Sequence, residues 1–259
     1  MLRTILATLL LLAIPYAYSS PIIFDDFNRP DGAVGNGWAN FTDPNARDVL
    51  GIRNNRLTSL RASDPAGSAG IYRPFAPGNS SVRIQSSVTD TDVTNAPNGR
   101  FESRWTIFND GTIASGYGIR VLQSSAVVNN SSIWLEDNSV QQAIVNIPFA
   151  LVASIDLDFT IASDLSVFGT LTSQGNNFAF SFAAPSTIQS SGSNFGYLQS
   201  NGISGNLQAT TDNLSVTLVN QVPEPATLFL VGLGIIALIS RIGFICPTYN
   251  TPTIRTAST

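Results

Sequence analysis

Between Pro21 and Gln221 the apolar residues of this chain recur at every second position, and that period governs what the chain can fold into. Phe101, Ser103, Trp105 and Ile107 fall on one side of a run whose other side is Arg100, Glu102, Arg104 and Thr106. Leu151, Ala153, Ile155, Leu157, Phe159 and Ile161 share a side opposite Ser154, Asp156, Asp158 and Thr160. Phe178, Phe180 and Phe182 repeat the pattern, as do Leu214, Val216 and Leu218, and Val82-Arg83-Ile84-Gln85 is a shorter instance. Successive side chains of a strand point to opposite faces, so each run reads as a strand with one buried face. Turn signals separate the runs: Asp31-Gly32, Pro77-Gly78-Asn79, Asn98-Gly99, Asp110-Gly111, Gly175-Asn176-Asn177 and Ser191-Gly192-Ser193. About a dozen short strands spaced in this way predict an all-β, antiparallel sandwich and argue against a parallel sheet with crossover helices. No internal repeat or long linker interrupts the region, which reads as one domain over residues 20–221.

The two ends of the chain follow different rules. Residues 1–19 carry Arg3, an apolar stretch from Ile5 to Ile14, then Pro15 and the small-x-small step Ala17-Tyr18-Ser19. That three-part order is the pattern of a signal peptide, an apolar helix that directs export. Near the other end, residues 226–239 (ATLFLVGLGIIALI) hold no charge. Extended past Ser240 and Arg241 through Ile242, Gly243, Phe244 and Ile245 to Cys246, with the Arg241 side chain snorkelling to an interface, the segment is long enough to cross a bilayer as one transmembrane helix. Pro223 and Pro225 stop any preceding strand and hold the approach extended. The single cysteine, Cys246, lies beyond the charge-free run, so no disulfide forms within the chain and the exported domain must be held by its core.

Several chemistries are excluded. The chain has no histidine, which removes imidazole-based catalysis and histidine-ligated metals. All 13 basic residues are arginine and the net charge is −4, so the chain does not offer the basic face that nucleic acid requires. Of three glutamates, Glu102 and Glu136 lie in the strand region on outward positions and read as solvated strand carboxylates, although they could meet across a sheet face. Asp156 and Asp158 form a D-x-D pair that either supplies oxygen ligands to Ca²⁺ or keeps a sheet face wet. Among the three tryptophans, Trp38 and Trp105 read as core. Trp134 falls with Glu136 opposite the apolar Ile133 and Leu135, where it either stacks on a sugar ring or lies under a loop.

Two stretches carry resemblances. Asp25, Asp26, Phe27, Arg29, Asp31, Gly32, Gly35, Gly37 and Trp38 match a D-D-F-x-R-x-D-G-x-x-G-x-G-W pattern, and Asp212-Asn213-Leu214-Ser215-Val216 is similar to a common closing strand. Together they resemble exported bacterial domains of the concanavalin A-like, or laminin G-like, superfamily. The resemblance implies a jelly roll of two stacked sheets with the first and last strands side by side. It also implies a structural calcium joining Asp25 or Asp26 to Asp212, the alternative being an ordinary turn in which Asp and Asn cap backbone groups. Relatives that hydrolyse glycosides place their carboxylates on one strand as E-x-D-x-E, which this chain lacks.

Val222, Pro223, Glu224, Pro225, Ala226, Thr227 and Leu228, followed by Gly232-Leu233-Gly234, resemble a PEP-CTERM sorting signal over residues 222–241. That resemblance implies a membrane-held intermediate, processing by an exosortase-type enzyme near Pro223-Glu224-Pro225, and delivery to the cell envelope, surface or exopolysaccharide matrix of a biofilm. The chain departs from the family in its ending. Arg241 stands where a cluster of arginines is usual, and residues 242–259 add only Arg255. The readings left open are a surface or matrix protein that binds glycan or builds the matrix, a glycoside hydrolase or lyase of the same fold, and a protein-binding adhesin.

Overall fold

The computed structural model describes residues 22–41, 50–59, 66–89, 100–124, 130–202 and 209–219. The chain divides into two units, residues 1–220 and residues 221–259, and every described residue belongs to the first. The expected signal-peptide helix, the transmembrane helix and the turn at Asn98-Gly99 lie outside the described residues. Among the described residues there is no helix, and none long and apolar enough to cross a membrane.

The strands, in chain order, are β1 (Ile23–Asp25), β2 (Gly32–Ala33), β3 (Ala39–Asn40), β4 (Leu50–Arg53), β5 (Arg56–Ser59) and β6 (Ala66–Pro74). Then come β7 (Ser81–Thr89), β8 (Arg100–Asn109), β9 (Tyr117–Ser124), β10 (Asn130–Asp137) and β11 (Val140–Ile147). The last five are β12 (Ser154–Ile161), β13 (Val167–Ser173), β14 (Asn176–Phe182), β15 (Asn194–Gly202) and β16 (Thr210–Val219). One sheet of nine strands runs β14-β13-β12-β7-β16-β5-β4-β2, with β1 also paired to β16. The second, of seven, runs β11-β10-β9-β8-β15-β6-β3. Every pairing is antiparallel.

The expected first-to-last pairing is present: Ile23 faces Val216 and Asp25 faces Leu214. The alternation read from the sequence fills the space between the sheets. Phe101, Trp105 and Ile107 enter it from the seven-stranded sheet, and Ile155, Leu157, Phe159, Leu214 and Val216 enter from the nine-stranded one, each 2% exposed or less. Burying an aliphatic or aromatic side chain of this kind contributes about 1.5–3 kcal/mol, which lets the sandwich stand without a disulfide.

Local geometry departs from expectation at two places. Leu151 is buried, but Ala153 is exposed at φ 62°, so the run that reads as one strand from Leu151 begins as β12 only at Ser154. The reversal at Ala153 breaks the ladder that period two alone would continue. The turn expected at Gly175-Asn176-Asn177 lies one residue earlier, at Gln174-Gly175 (φ 47° and 79°), and the two asparagines belong to β14. Positive φ at both central residues matches the right-handed twist of the flanking strands, so this two-residue hairpin keeps register.

Candidate functional site

The outward face of the seven-stranded sheet carries a row of side chains running across the strands. Arg104 of β8 faces Arg120 of β9, Arg120 faces Trp134 of β10, and Trp134 faces Ile144 of β11. Glu102 and Glu136 flank this row, opposite Leu122 and Gly118 of β9. The Arg120 guanidinium bridges them: Nε and Nη2 donate to Glu102 Oε1, Nε at 2.7 Å, and Nη1 donates to Glu136 Oε1 at 2.8 Å. Arg104 donates Nη1 to the Ile113 carbonyl at 2.7 Å and to Ser139 Oγ at 2.9 Å, and Nη2 to the Gly116 carbonyl at 3.3 Å. Its Nε lies 3.0 Å from Glu136 Oε2 as an ion pair without hydrogen-bond alignment, which leaves both atoms without a hydrogen-bond partner.

Glu136 is 0%, Arg104 3% and Glu102 4% exposed, so the expectation of two solvated strand carboxylates is corrected. Residues 113–116 and the turn at Asn138-Ser139 fold onto this face through the Arg104 contacts, and burial becomes tolerable because two cations and two anions cancel. Burial pulls the Arg104 guanidinium below its usual value, and neighbouring Arg120 adds to this, while the Glu136 and Glu102 charges oppose it. Arg104 and Arg120 were not singled out by sequence reasoning. The available signal was the coincidence of two arginines and two glutamates on outward positions of three strands that are consecutive in the chain.

Trp134 lies over this cluster. The Arg120 guanidinium carbon stands 5.4 Å from the centroid of its ring, and the indole Nε1 donates to Ser132 Oγ at 2.8 Å. Those contacts hold the ring, which is half-buried, while the adjacent Ile144 is 49% exposed. Trp38 and Trp105 are 7% and 0% exposed and belong to the core. Glu136, expected beside Trp134, is on the same face but faces inward to the arginines and offers no carboxylate to solvent.

The residues proposed for calcium do not fit that ion. Asp25 Oδ1 accepts from the Phe27 amide at 2.8 Å and from Arg29 Nη1 at 2.7 Å. Asp25 Oδ2 accepts from Arg29 Nη2 at 3.0 Å, Asn36 Nδ2 at 3.1 Å and Trp38 Nε1 at 2.9 Å. Five N–H donors thus occupy the lone pairs a cation would need. Asp26 is exposed and accepts from the Asn28 amide at 3.0 Å, and Asp212 is paired with Arg56 at 2.8 Å. Asp158 is engaged by Arg83 and Gln85, and Asp156 by Ser87. No group of three or more potential ligand side chains for a metal occurs among the described residues. The N-terminal pattern is therefore a structural clasp: Asp25, Arg29, Asn36 and Trp38 lock one loop, with Arg29 Nε also donating to the Val34 carbonyl at 2.8 Å.

A separate pocket of ≈ 220 Å³ opens beside Ile107, Phe108, Ile161, Leu165 and Ile188, with Asn79, Ser80 and Ser163 also lining it. It is uncharged and below the roughly 300–1,000 Å³ usual for small-molecule sites.

Comparison with known proteins bears on both units. Residues 221–242 match the PEP-CTERM protein-sorting motif. No curated protein sequence matches the chain. Among solved structures, peanut lectin with a nine-residue peptide is similar at 13% identity and TM-score 0.52, over 77% of this chain and 99% of that one. Lectin UEA-II complexed with galactose is similar at 12% identity and TM-score 0.52, over 76% and 99%. Lectin I-B4 from Griffonia simplicifolia, in a metal-free form, is similar at 8% identity and TM-score 0.51, over 76% and 100%. At such identities the likeness establishes the fold, a concanavalin A-like jelly roll of the legume-lectin type.

Proposed function

We propose that this chain is an exported, non-enzymatic glycan-binding protein of the cell envelope, surface or extracellular matrix. Residues 221–242 carry the sorting signal; in this reading an exosortase-type enzyme acts near Val222, Pro223, Glu224 and Pro225 after the chain has been held in the membrane. The binding reading rests on one observation: Trp134 is the tryptophan whose ring reaches the outward face of the sandwich, and Arg120 and Ser132 fix it there before any ligand arrives. An aromatic ring whose orientation is already set loses little side-chain freedom on stacking against a sugar. The similarity to a lectin complexed with galactose is in keeping with a sugar as the occupant.

Glu136 and Glu102 act indirectly in this reading, by holding Arg120 against the ring. The alternative of a glycoside hydrolase needs two carboxyl groups flanking a bond, one of them facing the substrate. Here both are committed to arginine, and Glu136 is out of reach of solvent. A glycan array probed with the full-length chain in detergent tests the proposal. Binding to at least one polysaccharide is expected, and Trp134→Ala should weaken it about tenfold, equivalent to 1.4 kcal/mol. Equal affinity of a folded Trp134→Ala protein would remove Trp134 from the site.

A further inference from the structure

Resting on the glycan-binding reading, we infer that the ligand stacked on Trp134 is an uncharged glycan, held along the β10–β11 margin by carboxamide groups. Recognition of a uronic acid or sulfate needs a cation whose charge is not already cancelled. The cation against the ring is Arg120, and Glu102 and Glu136 both bind it. Arg104, next in the row, is 3% exposed and paired with Glu136. A cationic glycan would need an accessible carboxylate, and both glutamates are buried under their arginines.

The surface beyond the ring is equally uncommitted in charge. No charged residue occurs from Asn138 to Ile155, which covers all of β11, the strand next to β10 at the edge of this sheet. What β11 places beside β10 is amide and aliphatic: Asn146 faces Ser132, Ile144 faces Trp134, and Gln141 faces Glu136. Gln141 and Asn146 are exposed. A carboxamide offers donors and acceptors together, as a sugar hydroxyl does, so the two satisfy each other without a net charge. The net charge of −4 also disfavours the approach of a polyanion at long range.

The test titrates the full-length chain in detergent with neutral hexose polymers, a uronic-acid polymer and a sulfated polymer. Each is measured at about 50 mM and about 500 mM salt, on either side of the ~10 Å screening length at 0.1 M. A neutral polymer should bind best, with an affinity that changes less than about twofold between the two salts, because the two arginines at the ring, Arg120 and Arg104, are already paired with Glu102 and Glu136. Gln141→Ala and Asn146→Ala should each weaken that binding by about threefold to tenfold, the range expected for a lost hydrogen bond. Tighter binding of the uronic or sulfated polymer, falling with salt, would overturn the uncharged ligand and leave the glycan reading standing. Neutral binding unaffected by either alanine variant would overturn the placement along β11. Binding to none of the polymers would overturn both the inference and the reading beneath it.

Discussion

The Asp25 carboxylate shows how much one side chain organises. Its five N–H donors come from Phe27, Arg29, Asn36 and Trp38, and the ion pair with Arg29 leaves the Asp25 side chain only 1% exposed. Removing one partner of a buried pair strands the other, so Asp25→Asn should destabilise the folded protein by about 3 kcal/mol, read from the denaturant midpoint. Acid dependence supplies a second readout. Burial raises the Asp25 carboxyl, but the hydrogen bonds from Arg29, Phe27 and Asn36, with the Arg29 charge, more than reverse this and hold it below the ordinary carboxylate value. A carboxyl lowered by folding stabilises fully above its unfolded value of about 3.9, and that contribution fades as pH falls toward the lower folded value. Asp25→Asn has no such proton to bind, so its stability should fall less steeply below about pH 4 than that of the parent. Asp110 and Asp158 are also lowered, but they are common to both proteins and cancel in the comparison. Identical acid slopes would remove Asp25 from the pH response.

Between strands, the tightest constraint near the site is the approach of β9 to β8 at Gly118. A Cβ placed there would fall on the Trp105 carbonyl oxygen, with the Thr106 Cα at 2.9 Å, and both are backbone atoms that cannot rotate away. Gly118 faces Thr106 on one side and Glu136 on the other, so a side chain would part the strands that hold the charge cluster. Gly118→Ala should therefore cost about 3 kcal/mol, the upper range for overpacking, measured by thermal or denaturant unfolding. An effect below about 0.5 kcal/mol, the level of a neutral surface change, would mean that the strands can part there without loss. The sequence made most strand identities legible, because Trp105, Phe159 and Val216 alternate with polar neighbours and one face of each strand is buried. It did not reveal hairpins whose turns lack the usual glycine, such as Asn54-Asn55 (φ 53° and 60°) and Asn138-Ser139 (φ 49° and 62°). Asparagine tolerates the left-handed region through local hydrogen bonds, so these turns look like any polar pair in the chain. The site was legible in part for a related reason. Alternation places Trp134 outward, but burial of Glu136 depends on Arg104 and Arg120 from other strands and on residues 113–116, which no local pattern encodes.

For the molecule as a whole, a domain without disulfides carries a sorting motif over residues 221–242, and the reading proposed above makes that motif's action depend on charge at one end. The motif over residues 221–242 closes just past Arg241, and residues 243–259 hold only Arg255 as a further cation. Positive charge directly after an apolar span fixes its cytoplasmic end, because arginine crosses a bilayer at high cost. In the sorting reading proposed above, one arginine would anchor that end less firmly than several and lower the time the Pro223-Glu224-Pro225 segment spends where a membrane enzyme can reach it. Ile242→Arg with Gly243→Arg should therefore increase the fraction of chain converted to the shorter, processed form, read by mass and by cell fractionation. Replacing Pro223, Glu224 and Pro225 together by alanine in that same background should return the protein to full length. An unchanged processed fraction in the arginine variant would mean that Arg241 alone positions the span. Processing that survives the alanine replacement would place cleavage elsewhere, and the assignment of Val222, Pro223, Glu224 and Pro225 as the handled segment would fall with it.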